Sequence, residues 1–112
     1  MADQGSASAS SVVQNASSVD SASEADLEEL EHDVDQASSR SNAVSDTLDS
    51  LRRSMSSQGV NLRTDIASAQ ELMKINLDKA QQALQAHDAK SARKYLNIGQ
   101  AQLEKIEKFL GH

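Results

Sequence analysis

The sequence predicts an all-α protein: an up-down-up three-helix bundle with coiled-coil-like packing, preceded by a Ser/Ala-rich N-terminal tail. Three observations predict it. Apolar residues recur at alternating steps of three and four, which is the mark of helices that bury one seam. Short turn-and-cap signals separate the apolar stretches. Proline, cysteine and tryptophan are absent, and Tyr95 and Phe109 are the only aromatic residues. That composition disfavours strands, which draw on β-branched and aromatic side chains. A chain of 112 residues allows one small domain.

Residues 1–22 read as a disordered tail or linker. Thirteen of the first 23 residues are Ser or Ala, and Asp3 and Asp20 are the charged ones. Such a segment buries too little surface to offset its ordering entropy. The bundle is expected over 23–112.

The first helix is expected over 24–57, roughly 50 Å at 1.5 Å per residue. Ser21 with Glu24 fits a capping box. The seam then runs Leu27, Leu30, Val34, Ala37, Ser41, Val44, Leu48, Leu51, Met55. Gly59 suits a left-handed C-cap because it has no Cβ to penalise positive φ, and Asn61 suits the next N-cap. The second helix is expected over 62–86, with Leu62, Ile66, Ala69, Met73, Leu77, Ala80 and Leu84 inside a sector of roughly 80° on a helical wheel. His87 is expected in a turn, and Asp88 is expected to cap the third helix, over 89–110. Its stripe is Ala89, Ala92, Leu96, Gly99, Leu103, Ile106 and Leu110. So short a connection folds the second and third helices into an antiparallel hairpin.

Charge is polarised along the chain. Residues 1–58 hold eleven acids and three bases, whereas residues 59–112 hold eight bases and six acids. In an up-down-up bundle the acidic stretch from Glu24 to Asp35 is expected near Lys90, Arg93 and Lys94. The overall charge of −6 argues against general nucleic-acid binding, which rests on neutralising phosphates. No apolar run approaches the ~20 residues that span a bilayer, and no secretory signal pattern is seen. The expectation is a cytoplasmic protein that binds neither nucleic acid nor membrane.

Catalytic signatures are weak. Without cysteine there is no thiolate nucleophile and no Cys-based metal site. Glu29 and His32 make one E-x-x-H on a helix, but di-iron bundles need that motif twice, facing inward with further carboxylates. Both residues fall off the core face. The serines lack a Gly-x-Ser-x-Gly elbow, and the isolated glycines form no phosphate-cradling loop. Neither an enzyme, a metal nor a cofactor is expected.

The apolar surplus is more informative. Ile75 points nearly away from the core face of the second helix, and Leu72 sits at its edge. Tyr95, Ile98 and Phe109 form a second apolar edge on the third helix. Leu72, Ile75, Tyr95, Ile98 and Phe109 are therefore the candidate partner-binding residues, because contiguous exposed apolar strips mark interaction sites. The alternative is a wide face turned toward the first helix. The handedness of the bundle, which decides whether the two edges meet, is not read from spacing.

The run Ala80, Leu84, Asp88, Ala92, Tyr95, Leu96 resembles one tetratricopeptide-type helical hairpin over about a quarter of the chain. There is no second copy at a 34-residue period, no Trp-Leu-Gly start and no closing Pro. The resemblance implies generic helical packing and no function. The expected role is a non-catalytic helical interaction or regulatory accessory module, binding a protein partner or itself. The alternative is a structural subunit that self-associates through the heptads of the first helix.

Overall fold

The computed structural model describes residues 24–111. The tail expected over 1–22 and its Ser21 capping residue lie outside the described residues, as does His112. Three helices pack together: α1 (Glu24–Ser57), α2 (Thr64–Gln85) and α3 (Ala89–Leu110). The described residues form no strand. Cross-helix contacts set the directions. Gln81 of α2 donates to Ser38 of α1, and Arg52 of α1 donates to Gln70 of α2, so α1 and α2 are antiparallel. Lys105 of α3 reaches Asp65 near the start of α2, while Lys79 of α2 reaches Tyr95 of α3, so α3 returns antiparallel to α2.

The seam residues close the core. Leu30, Val34, Ala37, Val44 and Leu48 of α1 are buried against Ile66, Ala69, Met73, Leu77 and Ala80 of α2 and Ala92, Leu96, Leu103 and Ile106 of α3. The α1 heptads are thus occupied within one chain from Leu30 to Leu48. Leu27, Leu51 and Met55, at the two ends of the seam, are half-buried. The closest packing in the bundle joins α2 to α3.

The turns explain the chain reversals. Gly59 takes a φ of 75°, and the Gly59 and Val60 N–H groups bond the Ser56 and Met55 carbonyls, closing α1 in a Schellman pattern. The same pattern ends α2 with His87 in the glycine position, at a φ of 57°. There the His87 N–H bonds the Leu84 carbonyl and the Asp88 N–H bonds the Ala83 carbonyl. Histidine is one of the few non-glycine residues enriched at such backbone angles. Asp88 thus closes α2 with its backbone and opens α3 with its side chain, which accepts the Ser91 N–H at 3.1 Å.

The second helix differs from expectation at both ends, closing at Gln85 with Ala86 as its C-cap. The second helix starts at Thr64 rather than Leu62, and its N-cap is Arg63 rather than Asn61, without a side-chain capping bond. Leu62 instead packs against the core from outside the helix. The first turn is served electrostatically. Asp65 lies beside the partly positive helix N-terminus and accepts two bonds from the Arg63 guanidinium, at 3.1 and 2.8 Å.

The Asp88 cap carries a pH signature. Bonds from Ser91 hold its carboxyl below the ordinary carboxylate value, with Lys90 adding to the effect. A depressed folded-state pKa adds stability above the unfolded pKa, and that stability is lost as pH falls through the folded value. Asp88→Asn keeps a good capping group without the charge. Its Tm should lie below that of the wild type near neutral pH, and the gap should close on acidification. A gap independent of pH would remove the charge from the account.

Candidate functional site

Burial separates the five candidate residues into two groups. Leu72, Ile75 and Ile98 are exposed, at 44%, 47% and 37% of their reference areas. Tyr95 and Phe109 are half-buried and pack against the core. The strip is therefore three exposed aliphatic side chains flanked by two anchored rings.

One contact decides whether the two helix edges meet. The Lys79 ammonium stands 5.4 Å from the centroid of the Tyr95 ring. Lys79 is one turn from Ile75 on α2, and Tyr95 is three residues from Ile98 on α3. Residues three and four apart share a helix face. Leu72, Ile75 and Lys79 therefore line one edge of the hairpin, and Tyr95 and Ile98 line the facing edge. The α1 helix sits on the other side, where Gln70 and Gln81 reach it. The outer face of the hairpin is the side left uncovered by α1.

The hairpin is held tight beneath that face. An added Cβ on Gly99 would lie 2.8 Å from Leu77 Cδ2 and 2.9 Å from Leu77 Cγ. Only glycine permits this approach. Asn76, which is buried on α2, donates to the Leu72 carbonyl one turn back at 2.8 Å. That bond satisfies its amide locally.

Cations border the strip. Lys94 also stacks on Tyr95, at 5.5 Å, so two ammonium groups bracket one ring. At the far end the Arg63 guanidinium lies 5.6 Å from the Phe109 ring. A cation over an aromatic face is worth ~0.5–1 kcal/mol at exposed sites, which biases these side chains toward the rim. Sequence reasoning missed the rim: helical spacing singles out nothing at Lys79, and Lys94 is expected beside the acidic stretch of α1, whereas it stands over Tyr95. Their place beside Tyr95 needed the handedness.

Elsewhere the surface offers little chemistry. Glu29 and His32 stand exposed on the outside of α1. No group of three His, Asp or Glu residues among the described residues is arranged to hold a metal ion. The clefts beside α1 enclose between 210 and 250 Å³, below the ~300–1,000 Å³ of small-molecule sites. One of them, where α1 passes the α2–α3 turn, is lined by Glu24, Leu27, Glu28, Glu31, Leu84 and His87. An ion pair that joins α1 to α3 is Arg40 with Glu107, with Arg40 Nε to Glu107 Oε2 at 3.0 Å. Its polarity is the reverse of the acidic-α1, basic-α3 pairing expected from the charge distribution.

No described helix is long and apolar enough to cross a membrane. Comparison with known proteins finds no matching family model, no matching curated sequence and no matching solved structure.

Proposed function

We propose that this protein is a non-catalytic helical interaction module that engages a partner through the outer face of the α2–α3 hairpin. One observation carries the reading: Leu72, Ile75 and Ile98 are exposed together on the side of the hairpin away from α1. Aliphatic side chains placed along adjoining helix edges suit a helix laid into a groove. The alternative, assembly through the α1 heptads, is disfavoured by the burial of Leu30, Val34, Val44 and Leu48 within a single chain.

The test uses sedimentation equilibrium and a neutral probe peptide. The full chain should sediment as a monomer over a wide concentration range. A synthetic amphipathic helix with leucines at i, i+3, i+4 and i+7 and glutamine elsewhere should shift the methyl resonances of Leu72, Ile75 and Ile98. Ile75→Asp combined with Ile98→Asp should keep the helical circular dichroism, since exposed substitutions usually change stability within about 0.5 kcal/mol each. The same variant should abolish the peptide response. A stable oligomer lost on replacing Val44 or Leu48 would move the assembly reading ahead.

A further inference from the structure

We infer that the outer face of the α2–α3 hairpin takes an acidic amphipathic helix of a second protein. The inference rests on the interaction-module reading and adds the chemistry of the partner. Its basis is the sign of charge around the strip. Lys79 and Lys94 both stand over Tyr95, and neither is paired with a carboxylate of the described residues. Lys105 lies seven residues beyond Ile98, two turns along the same line of α3. Its one ion-pair contact among the described residues, with Asp65, is long at 3.9 Å. Glu71 and Asp78 lie on the α2 side, each about one turn from Ile75, with Asp78 accepting from Gln82, so the cationic character is set by Lys79 and the α3 border. A ligand helix that buries its apolar face on Leu72, Ile75 and Ile98 brings its flanking positions over these ammonium groups. Carboxylates there gain attraction, and ammonium groups there are repelled.

The other occupants fit less well. A two-fold dimer through this face with its axis across the helices sets the lysine border of one copy on that of the other, and like charges oppose that contact. A head-to-tail contact with the acidic face of α1 matches the charge but not the strip. No exposed residue of α1 is apolar and larger than alanine, so nothing there covers the aliphatic side chains. A partner needs acid and an apolar stripe on one helix, which the described helices do not expose.

The test is a charge series on one peptide framework. Three synthetic helices share length and leucine spacing and carry Glu, Gln or Lys at the flanking positions. Each is titrated into the full chain with methyl-labelled Leu and Ile. The Glu peptide should move the Leu72, Ile75 and Ile98 methyls and bind about tenfold more tightly than the Lys peptide. The Gln peptide should fall between them. The preference should shrink as salt rises from about 0.05 to about 0.5 M, because exposed charges are screened. Lys79→Glu with Lys94→Glu, two exposed substitutions checked for retained helicity, should reverse the order. Equal binding of all three peptides leaves the interaction module standing and overturns the acidic partner. Silence of these methyls toward every peptide overturns both. Phosphatidylserine vesicles that move the methyls where the Glu peptide does not would make the face a lipid surface and overturn the inference. Self-association abolished by Ile75→Asp would place a second copy there and do the same.

Discussion

Leu103→Ala should cost this protein a large part of its stability. Leu103 is fully buried on α3, within the core shared by the three helices. Truncating a buried leucine removes its transfer free energy and leaves a cavity, together worth ~2–5 kcal/mol. A domain of this size has about 4–13 kcal/mol in total, taking 0.05–0.15 kcal/mol per residue. The loss should appear as a lower urea midpoint with an unchanged m-value. Leu72→Ala is the control. Its side chain is 44% exposed, so the midpoint should shift by no more than ~0.5 kcal/mol equivalent. A shift below about 1 kcal/mol for Leu103→Ala would mean that the core is looser than the burial of Leu103 implies.

The two halves of the core are not alike. The hairpin supplies most of the apolar residues and the close backbone packing, with Gln70 and Asn76 as its buried polar side chains, each hydrogen-bonded. Facing it, α1 contributes a partly polar seam, with Ser41 and Ser45 buried among Leu30, Val34, Val44 and Leu48. The Ser45 hydroxyl has no hydrogen-bond partner among the described residues, and a buried hydroxyl left unpaired costs about 1–3 kcal/mol. Polar contacts such as Gln81 to Ser38 and Arg52 to Gln70 hold α1 in place. Net hydrogen bonds of this kind stabilise by ~0.5–1.5 kcal/mol each. Because α1 packs more sparsely on α2 and α3 than these two pack on each other, α1 is the less firmly held helix, and the hairpin is the platform on which the candidate strip stands. This favours the outer hairpin face as a binding surface, because a preorganised site loses less entropy on association.

The fold was legible because independent local signals agreed. The heptad steps from Leu27 to Met55, the Gly59 cap and the Asp88 cap placed α1 and α3 at the residues where they are found. The start of α2 was less legible. Asn61 is a good capping residue, but Leu62 beside it packs against the core from outside the helix, and Arg63 and Asp65 take over the first turn. Tertiary packing outweighed local capping preference there. The buried Gln70 and Asn76 were missed for a related reason. Each is satisfied by one partner, Arg52 or the Leu72 carbonyl, which periodicity cannot show. Of the site, the exposure of Leu72, Ile75 and Ile98 was readable from helical wheels. The meeting of the two edges was not, because wheel positions lack the relative rotation of packed helices. The contact of Lys79 with Tyr95 supplies it.

Gly99→Val should show that this platform depends on one missing side chain. Glycine inside a helix costs roughly 1 kcal/mol relative to alanine, so propensity alone favours replacing it. Packing opposes that. A Cβ at 99 would stand 2.8 and 2.9 Å from Leu77 side-chain carbons and 3.5 Å from the Leu77 backbone nitrogen. The Leu77 backbone nitrogen is at ordinary contact distance, but both Leu77 side-chain carbons must give way, so a buried Leu77 leaves its rotamer or the helices separate. Valine adds two further methyl groups, and overpacking of this kind costs ~1–3 kcal/mol. Leu77→Ala empties the space, so the two changes should not add. The double variant should be more stable than the sum of single losses by ~0.5–3 kcal/mol. Strict additivity would mean that Gly99 and Leu77 do not contact as described. The functional consequence follows from the same geometry. Splaying α2 from α3 widens the line between Ile75 and Ile98, so Gly99→Val should also weaken the probe peptide although residue 99 is buried beneath the strip. A Gly99→Val protein that lost stability yet bound the peptide unchanged would show that the strip acts through one helix edge alone.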